Sequence, residues 1–317
     1  MKTVTISTND AGQRLDKFLT KFLADCPHSM IYKCLRKKNI KLNGKKAEGN
    51  TKLTEGDVLT LYINDEFFQK PSQDNPITKL TPRINIVYED ENILLADKKT
   101  GMLVYEDKGE KTDTLISHIQ AYLYQKGEYD PTSEQSFAPA LCNRIDRNTG
   151  GIVIAAKNAA ALRIINEKIK SRQIKKYYLC MVEGHLDKKE GTLTSYMKKD
   201  EKQNLVRITD SPREDYKKCV TKYRVISSSP YGDFLEIDLI TGRTHQIRAQ
   251  MAHIGHPLAG DTKYGSTDSN RKLNLKYQAL YSYKTEFAFE DENMLSYLNG
   301  KTFQVDTNNI SWYKYKN

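Results

Sequence analysis

Paired cysteines and long apolar runs are both absent from this chain of 317 residues. Its five cysteines are scattered and form no C-x-x-C pair, so we expect neither a disulfide framework nor a zinc ribbon. This use of cysteine is typical of a protein in a reducing compartment. No stretch approaches the roughly 20 apolar residues that a membrane-spanning helix needs. The first twelve residues alternate in polarity and contain no hydrophobic signal region. These absences predict a cytoplasmic protein without a membrane partner.

The charge balance points to a polyanionic partner. Lys and Arg total 50 against 40 for Asp and Glu, which gives a formal net charge of +10. Cationic proteins gain affinity for nucleic acids by displacing phosphate counterions. A solvated, lysine-rich surface without such a partner would give the same net charge. The positions of the basic residues along the chain therefore have to decide between these two interpretations. The length predicts two domains.

Residues 1–65 form a compact basic unit. Apolar residues recur at helical spacing from Leu15 to Phe22, and a second short helical pattern passes through Ile31 and Leu35. A turn signal and a strand, TEGDVLTLYI, close the unit. We predict a clamp on the phosphate backbone, formed by the basic residues Arg14, Arg36, Lys37, Lys38 and Lys41.

This unit resembles the alpha-L RNA-binding domain, the S-four fold of ribosomal proteins. The resemblance rests on RLDKFL, on the basic helix that ends at Lys38, and on the segments IKLNGKKA and EGDVL. A small helical cap with ordinary surface lysines is the alternative. Residues 66–82 are polar, carry three prolines and show no period, which is typical of a linker. Residues 83–317 would then form the second domain.

The second domain begins with a strand-rich pattern at Ile84. Helices and strands do not alternate regularly along it, so we predict an α+β fold with a mixed, mainly antiparallel sheet. The predicted helices lie near 114–124 and 158–172. The predicted strands include two joined across 89–92, then 152–156, 177–182 and a pair within 223–241.

Two motifs carry the candidate chemistry: RIDRNTGGIVIAAK at 144–157 and ITGRTHQIRAQMAHIGHPLAGDTKYG at 240–265. Most lone aspartates are salt-bridged surface acids, but Asp146 precedes a Gly-Gly turn bounded by apolar residues, where a side chain is presented at a strand end. If Arg243 lies beside it, the positive charge favours the ionised carboxylate. An ionised, oriented carboxylate can act as a nucleophile or a base.

Both motifs are similar to signatures of the RluA-type pseudouridine synthases, which include enzymes of the ribosomal large subunit. Between them, KKYYLCMVEG resembles the family's lysine-x-tyrosine strand and places Tyr178 at the tyrosine. LYSYKTEFAF, at 280–289, resembles the final core strand. The resemblance spans nearly the whole chain. It implies an isomerase that converts uridine in structured RNA to its carbon-linked isomer, with no cofactor or metal.

The resemblance also implies roles for individual residues. Asp146 is the catalytic carboxylate, Tyr178 packs against the target base and assists the final proton loss, and Arg243 ion-pairs the acid. The target nucleotide must be flipped, because an enzyme cannot reach a ribose–base bond within a stack. Residues predicted to contact the RNA around it are Arg144, Arg147, His245, Gln246 and Arg248.

Three histidines in the second motif allow a different interpretation. His245, His253 and His256, followed by Asp261, are residue types that bind zinc. Their spacing fits no common zinc motif, and Gly255 indicates a turn. We therefore predict that no metal is bound, that His245 and Gln246 orient the site through hydrogen bonds, and that GHPLAGDTKYG is a structural loop.

Several positions depart from the family's usual pattern, among them Lys99 in place of a proline after Lys98, and Tyr281 in place of a histidine. They weaken any transfer of substrate identity. An additional basic domain favours large-subunit ribosomal RNA over transfer RNA, and we expect a monomer. Two other function classes stay open: an inert, ribosome-associated RNA-binding protein, and a metal-dependent hydrolase that chelators would inactivate.

Overall fold

The computed structural model describes residues 1–23, 25–68, 75–107, 113–133, 135–200, 205–265 and 273–316. The chain divides into two compact units. Unit 1 comprises Met1–Pro82, Ser117–Ala140 and Lys157–Leu162, and unit 2 comprises Arg83–Ile116, Leu141–Ala156 and Arg163–Asn317. The boundaries at residues 65 and 83 stay a prediction, and part of the predicted linker, residues 69–74, lies outside the described residues. Within the described ranges, no helix has the length and apolarity that crossing a membrane requires.

Unit 1 contains a small antiparallel sheet whose strand order is β1-β4-β2-β3. Both predicted helices are confirmed, because Leu15, Phe18 and Leu19 of the first face the core and are fully buried. The elements up to residue 82 are β1 (Lys2–Thr5), α1 (Leu15–Phe22), α2 (His28–Arg36), β2 (Ile40–Leu42), β3 (Lys45–Lys46), β4 (Val58–Leu61), a 3₁₀ turn (Asp65–Phe67) and α3 (Pro76–Lys79).

Unit 2 is built on a large sheet with the path β11-β10-β12-β13-β9-β14-β8-β6-β5, while β15 pairs with β14 and β7 with β8. Along this path from β11 to β5 the neighbouring strands are antiparallel, except that β14 runs parallel to β8. The predicted α+β class with a mainly antiparallel sheet is therefore confirmed.

The elements from Arg83 onward follow in chain order. They are β5 (Asn85–Glu89), β6 (Ile93–Lys98), α4 (Leu115–Gln125), β7 (Ala140–Leu141), β8 (Gly150–Ala156), α5 (Ala159–Lys170), β9 (Ile174–Glu183), β10 (Glu190–Asp200), β11 (Leu205–Thr209), β12 (Lys217–Ser229), β13 (Gly232–Leu239), α6 (Gln246–His253), β14 (Leu280–Phe287), a 3₁₀ turn (Ser296–Leu298), β15 (Thr302–Gln304) and two final 3₁₀ turns (Thr307–Asn309 and Tyr313–Lys316).

The two glycines of the first motif begin strand β8, where it pairs side by side with β14. Gly151 has φ +113°, and a β-carbon there would stand 2.1 Å from the carbonyl oxygen of Ser282. At Gly150 a β-carbon would stand 2.4 Å from the ring of Tyr281. Only glycine permits this approach. The same strand β14 pairs Ser282 with Tyr178 of β9, so the turn brings the Asp146 loop and Tyr178 to one part of the sheet.

Candidate active site

Asp146 lies on the loop between β7 and β8. The loop closes on itself through a hydrogen bond from the Thr149 N–H to the Asp146 carbonyl, at 3.0 Å. The carbonyl of Arg147 accepts hydrogen bonds from the Gly101 N–H and from the Lys98 ammonium, each at 2.9 Å. The Asp146 side chain is 26% exposed. It is therefore held by a fixed backbone and still open to a substrate.

Lys98 anchors this loop from inside the unit. Its fully buried side chain donates to the carbonyls of Lys99, Met102 and Arg147 at 2.9–3.0 Å. Three acceptors match the three protons of an ammonium group. Burial lowers the pKa of Lys98 to about 7, while the nearby carboxylates of Asp146 and Asp97 favour the charged form. The sequence analysis missed this role, although a lysine at the end of the apolar run ILLADK was its signal.

Arg248 is the arginine that contacts Asp146. Its Nη1 donates to Asp146 Oδ2 at 2.9 Å, and its Nε and Nη2 donate to the two carboxylate oxygens of Asp261 at 2.7 and 2.9 Å. The residue is buried. Burial alone would lower the pKa of Arg248, but its hydrogen bonds and charge pairing with Asp261 and Asp146 outweigh that and raise it. The guanidinium thus stays charged between two carboxylates.

The predicted pairing of Arg243 with Asp146 is therefore wrong. Arg243 precedes helix α6, its side chain is exposed, and its N–H donates to the Gln246 side chain at 3.0 Å. Arg248 lies within the helix and points inward. The motif alone does not locate the start of α6, which lies between the two arginines, so the sequence assigned the contact with Asp146 to the wrong arginine. Arg248 is not available as the direct RNA contact that was predicted.

Asp261 completes the ion pair from the loop after α6. It is fully buried and also accepts from the backbone N–H groups of Lys263 and Tyr264, at 2.9 and 3.2 Å. Burial opposes ionisation, but Arg248 and these N–H groups prevail and lower the pKa of Asp261. The predicted structural loop thus has a further function, since it supplies the carboxylate that fixes Arg248.

His245 and Gln246 have positions that fit an orienting role. His245 adopts a left-handed backbone with φ 52°, its Nδ1 hydrogen-bonds with the Tyr264 hydroxyl at 2.9 Å, and its Nε2 lies 3.9 Å from Asp146 Oδ2. Burial lowers the pKa of His245. Gln246 is buried, and its side chain donates to Val220 and Thr221. Its amide is thus engaged within the protein, and its predicted contact with RNA stays a prediction.

The three histidines of the second motif do not converge. His253 hydrogen-bonds with Asp210 at 2.9 Å, and His256 with the carbonyl of Glu183 at 3.0 Å. Across the ranges given above, no three Cys, His, Asp or Glu side chains come together as a metal site would require. The zinc interpretation therefore has no geometric support there.

Tyr178 lies on β9 and is buried, with its side chain hydrogen-bonded to Ser282. Burial raises the pKa of Tyr178 to about 12, and the charge of Asp146 acts in the same direction. Successive strand residues face opposite sides of a sheet, and Tyr177 contacts Glu286 and Lys284 instead. The structure thus brings Tyr178, and not its neighbour, under the influence of Asp146.

The remaining predicted RNA contacts differ in their availability. Arg144 is exposed, and Arg147 is exposed but donates to the Gly101 carbonyl at 3.0 Å. In unit 1, Arg14 forms an ion pair with the buried Asp16, which indicates a structural task. The other predicted basic residues there are exposed or partly exposed: Arg36, Lys37, Lys38 and Lys41.

Comparison with known proteins identifies the family. Residues 92–253 match the family model described as RNA pseudouridylate synthase. The chain belongs to this family. It is 32% identical to an uncharacterized RNA pseudouridine synthase of Mycoplasma genitalium over 96% of this chain and 95% of the relative. It is also similar to ribosomal large subunit pseudouridine synthase C of Vibrio vulnificus, with 32% identity over 84% of this chain and 80% of that protein.

The Escherichia coli ribosomal large subunit pseudouridine synthase C is 30% identical over 86% of this chain and 82% of its own length. The fold is similar to that of human RNA pseudouridylate synthase domain containing 1, with a TM-score of 0.54 and 18% identity over 74% of this chain and 94% of the human one. The protein is thus a pseudouridine synthase, an isomerase that acts on RNA.

Replacing Arg248 should damage both stability and activity of the synthase. Arg248→Gln leaves the charge of Asp261 buried and unpaired, so we expect a loss of about 3–5 kcal/mol in the free energy of unfolding. We expect pseudouridine formation to fall at least about 100-fold, the scale of removing a preorganised charged donor. Urea unfolding and tritium release from RNA labelled at uridine carbon 5 measure the two effects.

Arg243→Gln is the matched control, with an expected change within about 0.5 kcal/mol and a kcat close to that of the parent. Arg248→Lys retains the positive charge but not the forked geometry of the guanidinium. If Arg248→Gln does not fold, the activity of Arg248→Lys can still be measured on a folded protein. A larger activity loss in Arg243→Gln than in both Arg248 variants would contradict the assignment.

Tyr178 should make stability depend on alkaline pH. A phenol whose pKa is about 12 when folded and 10 when unfolded contributes stability that is complete below about pH 10 and is lost as the pH rises towards 12. Between about pH 8 and pH 11 the ionisation of Tyr178 should cost the parent protein about 1.4 kcal/mol of its free energy of unfolding. Tyr178→Phe should lose less stability over this range by that amount. Urea unfolding at both pH values tests this. The exposed Tyr231→Phe should leave the loss unchanged, and an identical result for both variants would contradict the prediction.

Proposed function

We propose that Asp146 is the catalytic carboxylate of this synthase and that its target uridine lies in large-subunit ribosomal RNA. The observation that carries the first part is the chain of charges from Asp261 through Arg248 to Asp146. Asp261 and Arg248 are buried, whereas the Asp146 side chain is 26% exposed. Asp146 is therefore the member of the chain that can meet a substrate.

The contacts of Asp146 support this chemistry. Arg248 donates to Oδ2, while Oδ1 has no hydrogen-bond partner in the described part of the chain. A carboxylate held at one oxygen and open at the other can attack the anomeric carbon of the ribose, or remove a neighbouring sugar proton. In either route the glycosidic bond breaks, uracil rotates, its carbon 5 bonds to the sugar, and the proton on that carbon leaves. The product is an isomer of the substrate, so no co-reactant is consumed.

Tyr178 supports the target base in this proposal. A phenol whose pKa is raised to about 12 by burial is protonated at neutral pH and is a weak base there. Its contribution is therefore packing against uracil and hydrogen bonding, with its assistance to the final proton loss limited to orienting the groups involved. The flipped base would need such a partner once it leaves its stack.

Two observations favour ribosomal RNA as the substrate. The Vibrio vulnificus and Escherichia coli relatives are both named ribosomal large subunit pseudouridine synthase C. The net charge of +10, together with the cluster of basic residues within 36–46 of unit 1, suits a large structured RNA. A cytoplasmic location follows from this choice of substrate.

Pseudouridine mapping tests both parts of the proposal. Carbodiimide labelling and primer extension are applied to ribosomal and transfer RNA from cells with and without the gene. We expect a large-subunit position to lose its pseudouridine in the deletion, and wild type to restore it. Asp146→Asn should not restore it, because an amide is neither a nucleophile nor a base here, although its RNA affinity should be nearly intact.

Asp187→Asn, an exposed acid on a loop of unit 2, is the control and should restore the position. A site lost from transfer RNA would replace the ribosomal substrate. Restoration by Asp146→Asn would show that the carboxylate assignment is wrong. Purified protein that binds unmodified transcripts without isomerising any uridine would favour an inert RNA-binding protein.

The basic residues at the end of α2 and on β2 carry the phosphate-clamp part of the proposal. Lys37 and Lys38 are exposed and Lys41 is partly so, with its ammonium 5.5 Å from the ring centre of the exposed Tyr62. Replacing all three lysines by Gln should weaken RNA binding and lower the slope of log affinity against log salt by roughly two to three. Filter binding at several salt concentrations measures the slope.

The control for this variant changes the same charge elsewhere. Lys188, Lys217 and Lys218 are exposed in unit 2, and their triple Gln variant should change the slope less. Equal slopes for the two triple variants would remove the special role of residues 37–41 and leave a general electrostatic attraction.

A further inference from the structure

His245 lies beside Asp146 and is used by none of the chemistry above. Its Nε2 stands 3.9 Å from Asp146 Oδ2, a separation too long for a hydrogen bond. Nε2 has no hydrogen-bond partner within the described ranges, whereas Nδ1 lies 2.9 Å from the hydroxyl of Tyr264. Which of the two nitrogens carries the proton decides whether the ring can donate to a substrate at Asp146 or only accept from it.

The hydrogen bonds of the Tyr264 hydroxyl decide between these two tautomers. Its oxygen accepts the backbone N–H of Val206, on strand β11, at 3.0 Å. A phenol has a single hydrogen to donate, and among the residues that the structure describes its one acceptor is Nδ1 of His245. The hydroxyl therefore donates to Nδ1, which leaves the proton of a neutral His245 ring on Nε2.

The charges around the ring favour the same tautomer. An N–H that faces the carboxylate of Asp146 is attracted to it, while a nitrogen lone pair in the same place is repelled. Burial lowers the pKa of His245, which the charge of Asp146 opposes and that of Arg248 supports. The ring is therefore neutral at physiological pH, and its Nε2–H is an uncharged donor beside the open side chain of Asp146.

An uncharged donor suits an oxygen whose negative charge grows during the reaction. When the glycosidic bond breaks, its electron pair stays with uracil, and the charge spreads onto the two carbonyl oxygens of the base. A donor that is fixed in advance where such charge develops stabilises the transition state, and a neutral imidazole can polarise a carbonyl in this way. A phosphate is charged throughout and pairs better with an exposed cation such as Arg144.

We propose that His245 donates its Nε2–H to a carbonyl oxygen of the target uracil, and that Tyr264 holds the ring in the tautomer that this hydrogen bond requires. No proton is transferred to or from His245, so it is not the base that removes the proton from carbon 5. His245 is then a catalytic residue and Tyr264 a positioning residue. The proposal deepens the proposed function and rests on a target uridine at Asp146.

Nitrogen NMR of the free, full-length protein tests the tautomer without a substrate. In protein labelled with the heavy nitrogen isotope at histidine, couplings to the ring hydrogens identify each nitrogen, and its chemical shift reports whether it is protonated. The chain has six histidines, and the signals that are missing from His245→Gln belong to His245. At about pH 8, above the ordinary pKa of histidine, we expect a protonated Nε2 and an unprotonated Nδ1. A proton on Nδ1 would overturn the proposal.

Two substitutions of His245 distinguish a donor from a base. Gln places an amide N–H near the position of Nε2, whereas the shorter Asn does not reach it. Asn tolerates the left-handed backbone of this position, φ 52°, so backbone strain does not account for a loss of activity in His245→Asn. We expect kcat to fall about 100-fold in His245→Asn and by less than about tenfold in His245→Gln, with little change in KM. Tritium release from the RNA that the mapping identifies, labelled at uridine carbon 5, measures both constants.

The pattern of losses decides the role of His245. An equally large loss of kcat in both variants would contradict the donor role, because both lack a base. A rise in KM with kcat unchanged would indicate a phosphate or ribose oxygen, whose charge does not grow in the reaction, and would overturn the carbonyl assignment. If His245→Asn does not fold, His245→Gln decides alone, since a base role predicts a loss of about 100-fold for it as well.

Tyr264→Phe tests the positioning role. Phe keeps the ring whose centre lies 5.3 Å from the Arg248 guanidinium, but it removes the hydroxyl. We expect the NMR signals of His245 to show a mixture of both tautomers, and kcat to fall about tenfold. In the His245→Gln background, which has no ring tautomers, the same substitution should change kcat little. An equal fall in both backgrounds would show that Tyr264 acts through Arg248 or through the fold, and would remove its positioning role.

Tyr88→Phe is the matched control, because Tyr88 is partly buried on β5 and its hydroxyl donates to Asp90 at 2.8 Å. It should leave both the His245 signals and kcat unchanged. The NMR result is obtained without isomerisation, so it is separate from a failure of the Asp146 assignment. An active Asp146→Asn variant would remove the proposed function and leave the tautomer as measured.

Discussion

The guanidinium of Arg248 is the group on which the active site depends. It spans two carboxylates, Asp261 in the interior and Asp146 towards solvent. A buried ion pair is costly to break, because the remaining charge cannot be solvated. Asp261 is itself held by backbone N–H groups of its own loop, so the position of Asp146 is tied to the fold of the segment that follows α6.

A second constraint acts on the backbone that carries Asp146. The Lys98 ammonium donates to the Arg147 carbonyl, and the two glycines allow β14 to lie unusually close beside the start of β8 in the sheet. The Asp146 loop is thus fixed by the Lys98 side chain on one side and by close strand pairing on the other. Such preorganisation matters because a carboxylate acts well only when it is held in the productive geometry.

Local sequence was a good guide where one physical rule dominated. Helices α1 and α2 follow from apolar residues at helical spacing, and β13 follows from strict alternation. Local sequence failed for β10. This strand pairs with β12 along much of its length, but its own residues are mostly polar and exposed and show little alternation of apolar with polar residues. That strand is defined by hydrogen bonding to its neighbours, which no local pattern encodes. The N-terminal strand β1 was also missed, because its pairing with β4 joins residues far apart in the chain.

Within the site, the sequence singled out Asp146, the tyrosine strand and the segment that supplies the arginine. It did so through the resemblance of its motifs to those of a known family, because residue type alone marks none of these positions. Only the tertiary structure decided that Arg248, rather than Arg243, faces the acid, since the choice depends on where α6 begins and which way its residues point. Only it joined Asp261 and Lys98 to this region, because long-range packing, and not spacing along the chain, brings buried charges together.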